Sequence, residues 1–551
     1  MTLALRLVAG AVVAALGAAA AAQCQAQRLL ATDGAPGLNF GRNIVSRGDW
    51  CFASCDSPDE QGEVHVFRRS AGGGWEPSGI LRARDGRRGD AFGSALALRA
   101  GSLFVGAQYA NGNHGAVYVF DFDGTRWIEV QKSTGQGAQL GAGFGGSLAV
   151  DGGTLVVGAP FDYTRNTQDG AVYIFERNQS GQWVQKARLT ANDGRVFARL
   201  GHSVDIEGDT VVAGAPGDWT NSQPGAVYVF KRDGSGAWSQ AQKIRQQGGS
   251  NEDELGISVG LEGNMLVAGA YRYPDEIDVG AIFVFERAAT GQAFFQTAML
   301  TLPDGAPDDA LGRHLDFRFG RIVAGSRGRY LYRGGAYVWE KRGLGWRLIG
   351  ELLAEGGAPI DRMGWGISIA DDGTAIVGSH QEDNENGEQA GAVYVFDLDC
   401  PAEIRELTVL EGQLLSGGIP ELRHSDDSYL VTRAKVTGQV SQPHLMRLRL
   451  AATTRRLNPD TIEIRVEGRI TDASAQTTLF LRDWVTDDLI AVSQYPMTME
   501  ETARTFTVPN AARFIRSGDG RIEVEVRQIV FFPFTLGGFQ TYFDQIEIHA
   551  R

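Results

Sequence analysis

The sequence has few of the residues that build a chemical centre. Only 4 cysteines and 8 histidines occur in 551 residues, and no H-E-x-x-H, P-loop or C-x-x-C spacing gathers them. That excludes the usual zinc-hydrolase, nucleotide-binding and dithiol signatures. Positive charge is in deficit: 52 Lys and Arg against 66 Asp and Glu leave a formal charge of −14. A nucleic-acid-binding surface needs a basic footprint, so that class is set aside. Long apolar runs are absent after residue 22, so the mature chain has no membrane span. Residues 1–22 place Arg6 before an apolar run, Leu7 to Ala22, that ends on three alanines. They read as a secretory signal peptide rather than an anchor. The expected location is secreted or extracellular, in the periplasm or at the cell surface, as a monomer.

Glycine is abundant, at 73 residues, and its placement is periodic. A large apolar residue precedes Gly at Phe40-Gly41, Phe92-Gly93, Phe144-Gly145, Leu200-Gly201, Leu255-Gly256, Leu311-Gly312 and Trp365-Gly366, spaced 52 to 56 residues apart. Such a period defines the architecture before any single residue does. Each copy reads as four short strands, for example 145–150, 154–160, 170–175 and 183–191. The third is apolar on both faces, with Val172 and Ile174 on one side and Ala171, Tyr173 and Phe175 on the other. A strand of that kind needs cover on both faces, which radially stacked four-stranded sheets supply.

The F-G pairs, the V-G-A-P phrase at Val157–Pro160 and the G-A-V-Y-I-F phrase at Gly170–Phe175 resemble FG-GAP repeat proteins, the family of the integrin α-subunit propeller. The resemblance covers roughly residues 28–400 and implies a seven-bladed β-propeller, here of a bacterial-type secreted member. Many members bind calcium through D-x-D-x-D-G-x-x-D loops. The corresponding turns here, 151–153, 207–209, 262–264 and 371–373, hold one or two carboxylates, too few for a cage of six to eight oxygens. No metal or other cofactor is therefore expected.

Two features place the ends of the repeat region. Residues 27–34 copy the end of a fourth strand, and no fourth strand follows Phe396, so the segment at about 28–32 is expected to complete the last blade. In an oxidising compartment the cysteines are expected to pair as Cys51–Cys55 and, across the closed ring, Cys24–Cys400. The domains are then 1–22 signal peptide, 23–400 propeller, 401–406 linker and 407–551 a second all-β domain. Seven alternating segments between 429 and 549 predict a jelly-roll-like β-sandwich there. Trp484, Tyr495 and Phe531–Phe534 offer a sugar platform, but core packing is the preferred reading.

Function is read from the loops between second and third strands, which do not repeat while the strands do. They bring Tyr163, Trp219, Tyr271, Tyr273, Arg327, Tyr330 and Tyr332, with Arg272, Arg329 and Arg333 among them, to one face. Aromatic and arginine side chains there point to a non-catalytic binding or adhesion protein with an extracellular protein or glycan partner. The alternative is a secreted hydrolase or lyase of polysaccharide on the same scaffold, with Asp162, Asp218 and Asp275 converging. Gly256-Ile-Ser-Val-Gly260 matches the nucleophile pattern G-x-S-x-G, but Ser258 falls in register with Ser147, Ser203 and Ser368, which marks it as architectural.

Overall fold

The computed structural model describes residues 25–550 apart from 56–60, 71, 164–167, 218–224, 250–251, 275–276, 344, 400–402, 417–421, 423–429, 435–443, 455–458, 472–474, 518–519 and 531–539. It divides into two compact units, Ala22–Cys400 and Pro401–Arg551.

The first unit is a seven-bladed propeller of four-stranded antiparallel sheets. Blade 3 is typical: Ser147–Asp151, Thr154–Ala159, Ala171–Arg177 and Trp183–Leu189, from the centre outward. Its third strand divides as the two-faced pattern requires. Ala171, Tyr173 and Phe175 enter the apolar cluster shared with blade 2, and Val172 and Ile174 enter the one shared with blade 4. Full burial of a side chain such as Val172, Ile174 or Phe175 stabilises by roughly 1.5–3 kcal/mol. The Trp that opens a fourth strand packs backwards: Trp183 meets Phe104 edge-on at 4.9 Å, as Trp127 meets Phe52 at 5.0 Å.

The glycines are explained at the blade junctions. The first Gly of each repeat has φ between 84° and 100°, a region open to Gly and costly to other residues. Its carbonyl oxygen presses on the Gly of the preceding blade's second strand. A Cβ there would lie 1.8–2.0 Å from that oxygen at Gly106, Gly158, Gly214, Gly269, Gly325 and Gly378. At the junction of blades 1 and 2 the second-strand residue is Ser54 instead. The seventh pair is Met363-Gly364, not the expected Trp365-Gly366. Met363 bridges Gly334 as Leu311 bridges Gly280, and Gly364 is the residue that meets Gly325. The aromatic bulk of Trp365 belongs to a different task, described below.

The ring closes through Gln25–Leu29, three residues earlier than the expected start, paired antiparallel with Ala392–Phe396. The segment behaves as any fourth strand. Gln27 donates its amide to the Trp75 carbonyl at 2.7 Å and accepts from the Trp75 N–H at 2.8 Å. Gln131 does the same for Trp183, and Gln242 for Phe294.

The pairing Cys51–Cys55 is overturned. Both residues sit in the single extended strand Trp50–Cys55, four positions apart, and no bond joins them. At about 3.3 Å per residue their Cα atoms are roughly 13 Å apart, against the 4.4–6.8 Å a disulfide spans. Cys24 and Cys400 lie outside the described residues; since Gln25 is opposite Phe396, their pairing stands as a proposal.

The second unit is a β-sandwich of two five-stranded sheets. One contains Glu403–Glu411, His444–Thr453, Arg521–Val530, Ala475–Asp483 and Asp488–Met497; the other Gln413–Ser416, Leu430–Arg433, Gln540–Ala550, Thr461–Ile470 and Thr502–Pro509. The segment 401–406, read as a linker, runs into the first of these strands. Strict alternation along Thr461–Ile470 buries Ile462, Ile464 and Val466 in the common core. Tyr495 is buried in that core, Trp484 donates its indole N–H to the Arg521 carbonyl, and Phe531–Phe534 lie outside the described residues.

Two outcomes follow. Deleting residues 23–34 removes the outer strand of blade 7 and its Trp75 link, and should lower the thermal transition sharply; an unchanged transition contradicts the closure. Gly214→Ala, at a residue with ordinary backbone conformation, should destabilise by about 3 kcal/mol or more in denaturant melts because the Gly256 oxygen cannot retreat. Gly208→Ala, with nothing within 4 Å of its added Cβ but φ of 56°, should cost about 1 kcal/mol.

Candidate functional site

Second strands end, and first strands begin, at the same rim of the ring. Two sets of positions therefore meet there: those just after the first Gly of a repeat (Arg42, His202, Arg313, His314, Trp365) and those just after the second strand (Tyr271, Arg327, His380). Further along, the middle and far ends of the first strands of all seven blades line a central cavity of about 250 Å³.

Trp365 is the hub. The guanidinium carbons of Arg42, Arg313 and Arg327 lie 5.3, 5.5 and 5.3 Å from its ring centre. The rings of His314 and His380 are 4.9 and 4.6 Å from it. Arg313 and Arg327 also cover Tyr271, at 4.6 and 5.9 Å. Stacking on aromatic faces holds these cations without neutralising them.

The electrostatics are those of a crowded positive site. Burial, then Arg313 and Arg199, lowers His202 to about 4. Burial, then Arg42, Arg362 and Arg327, lowers His380 to about 3. His314 is driven well below its ordinary value by burial, Arg313, Arg327 and the other two histidines. Burial and the neighbouring Arg313 bring even Arg327 down to about 10. Glu254 is a carboxylate that faces Arg199 and Arg313, and burial raises its pKa. The Nε atoms of Arg313 and Arg362, His314 Nε2 and His380 Nδ1 are buried without hydrogen-bond partners.

Of the residues expected at the site, Tyr271 and Arg327 belong to this cluster. Tyr332 borders it, with Arg362 over its ring at 5.8 Å. Tyr330 is tied by its hydroxyl to Glu351 at 2.8 Å. Tyr273 packs edge-on against Phe283 at 5.5 Å, inside a blade cluster, so its role is structural. Tyr163 stands apart on blade 3, its hydroxyl taking a hydrogen bond from Gln168. Trp219, Asp218 and Asp275 lie outside the described residues. Asp162 is fully buried and serves Tyr173 and Arg188 at 2.6 and 2.8 Å, so no catalytic use is visible for it. Arg329 is held by Asp309 at 2.8 Å, and Arg272 by Glu252 at 3.2 Å. The histidines, read as scattered, are the larger omission: three of the eight converge. Their signal was positional, because each follows a repeat phrase directly or within two residues.

The turn Tyr330-Leu331-Tyr332 is strained, with φ of 53°, 60° and 64°. Blade 2 has the same left-handed turn built from Asn111-Gly112-Asn113, residues suited to it. Blade 6 instead displays side chains 44%, 79% and 43% exposed, at a cost of about 1–2 kcal/mol per residue. Strain retained where it exposes apolar groups is typical of a contact surface.

The remaining polar repeat positions serve the ring. Ser147, Ser203 and Ser258 each donate to the first-Gly carbonyl of the next blade at 2.7–2.8 Å, which accounts for Ser258. The short-turn carboxylates do likewise: Asp151 accepts from Gly208, Glu207 from Gly263, Glu262 from Phe319 and Gly320, and Asp371 from Gly48.

Comparison with known proteins agrees with this architecture. The FG-GAP repeat family matches residues 75–120, 127–175, 183–230, 238–285 and 346–396. Human integrin alpha-11 is 28% identical over 151 residues, which is 25% of this chain and 12% of that protein. Rat integrin alpha-7 is 30% identical over 203 residues, 33% of this chain and 17% of that protein. The chain thus spans less than a fifth of the length of these curated relatives. It is an FG-GAP repeat protein with an integrin α-like propeller. No helix among the described residues is long and apolar enough to cross a membrane.

Leu331→Gly tests the strained turn. It should raise stability by up to about 1 kcal/mol, since little is lost at an exposed side chain and the backbone relaxes. A loss of stability in denaturant melts would show that Leu331 supports the fold.

Proposed function

We propose that this is a secreted, non-catalytic binding or adhesion protein, and that its partner is an anionic glycan or an acidic protein segment docking at the rim where the first strands begin. The observation that carries the reading is the group Arg42, Arg313, Arg327, His314 and His380 gathered on Trp365 in a protein of charge −14. Like charges held this close together repel one another, and a bound anion relieves that repulsion. Arginine forks suit carboxylate, sulfate and phosphate oxygens, and stacking on Trp365 and Tyr271 holds those forks in place. The exposed Tyr-Leu-Tyr turn extends the surface.

Binding to an array of acidic and neutral polysaccharides and acidic peptides tests this. Arg313→Ala with Arg327→Ala should abolish retention on the acidic members and leave the thermal transition near wild type. Undiminished retention overturns the reading, and release of shortened products from polysaccharide would favour the hydrolase or lyase instead. The pH dependence has a defined sign. A bound anion raises the depressed histidine pKa values, so binding takes up protons. Affinity should therefore rise as the pH falls from 7 towards 4, by up to about tenfold for each unit a histidine pKa recovers.

Calcium is not part of this proposal, because the turn carboxylates already accept the next blade's N–H groups. A calcium-selective chelator should leave the thermal transition where it was; a large downward shift would assign those turns to the ion.

A further inference from the structure

The repeat supplies its own control for every position, and blade 1 departs from it at three positions at once. The last residue of the second strand is Ala at 107, 159, 215 and 270 and Ser at 326 and 379; in blade 1 it is Cys55. The residue that opens the third-strand phrase is Ala at 116, 171, 226, 281 and 392 and Gly at 335; in blade 1 it is Glu63. Two residues on, Tyr stands at 118, 173, 228, 337 and 394 and Phe at 283; in blade 1 it is His65. Cys55 and Glu63 are partners across the two strands. His65 fills the tyrosine slot, edge-on to Phe40 at 5.2 Å as Tyr173 is to Phe144.

All three side chains are buried, and one ligand atom from each lies within 4.8 Å of the others. Among the described residues no other group of His, Cys, Asp and Glu does this. His65 is 1% exposed; its Nε2 is 3.0 Å from Glu63 and 3.6 Å from Asp33, and its Nδ1 has no hydrogen-bond partner. Asp33 occupies the place of Asp85 and Asp193, which receive the tyrosine hydroxyls of blades 2 and 4. Asp33, Cys55, Glu63 and Arg82 border one cavity of about 230 Å³. Arg82 bridges Glu63 and Asp33 there, a cation where the carboxylates need one.

We propose that Cys55, His65, Glu63 and Asp33 form a binding site for a transition-metal ion, zinc by its donor set. A thiolate, an imidazole and carboxylate oxygens in fourfold array suit zinc, whereas calcium and magnesium take oxygen alone. Zinc bonds of about 2.0–2.3 Å need ligand atoms roughly 3.5 Å apart. A small closure of the side chains brings the group to that spacing, and Arg82, half exposed, swings aside. The metal would tie the second and third strands of blade 1 to the closing segment at Asp33, on the side where the ring is sealed.

The full secreted chain, stripped of metal, is titrated with zinc by calorimetry and with cobalt by absorption. One equivalent should bind, cobalt should show a thiolate charge-transfer band, and zinc should raise the thermal transition. Cys55→Ser should remove the band and weaken zinc binding at least about tenfold. The combined variant Cys55→Ala, Glu63→Ala and His65→Tyr restores the residues of blades 2 to 4, so it should fold normally and take up neither metal at this site. A wild-type chain that shows no stoichiometric uptake, or a restored variant that keeps the cobalt band, overturns the site.

Discussion

The structure depends on how closely two backbones approach at each blade junction. Where a first-strand Gly carbonyl lies against a second-strand Gly, an added Cβ would sit 1.8–2.0 Å from oxygen. No rotamer change relieves a clash between backbone atoms. The contact therefore fixes Gly at both partners, sets the spacing of neighbouring sheets, and obliges the third strands to be apolar on both faces. The serine and carboxylate links between blades are bonds that this spacing permits.

Most of the fold was legible because that constraint writes itself into the sequence at six of the seven junctions. The two-faced third strand, the blade count and the missing outer strand of blade 7 were all read from composition and position. What misled was side-chain size where the backbone was deciding. Trp365-Gly366 looked like the seventh pair because an aromatic preceded Gly, while Met363-Gly364 satisfied the contact. Cys51 and Cys55 looked close in number, but an extended strand carries them apart. In the sandwich, Asp488–Met497 escaped notice because its burial pattern lacks strict alternation.

The site was legible in part. The loops were the right place to look, and Tyr271 and Arg327 were found there. Their partners were not, because Arg42, Arg313, His314 and Trp365 come from the starts of the innermost strands, positions that read as scaffold. Tertiary closure of the ring is what makes residues from blades 1, 6 and 7 neighbours around one indole. Sequence order gives no hint of that; register within the repeat does. The same comparison of copies separates Tyr330-Leu331-Tyr332 from Asn111-Gly112-Asn113, and Cys55, Glu63 and His65 from the alanines and tyrosines of other blades.

The closing strand has a mechanical consequence. Gln25 lies opposite Phe396, and the two strands run antiparallel, so the chain enters and leaves the propeller at the same end of this pair. A load applied across those two points peels the ladder one hydrogen bond at a time rather than shearing all of them together. Unless Cys24 and Cys400 are joined, force applied there opens the ring at this one ladder, with the other six blades still stacked.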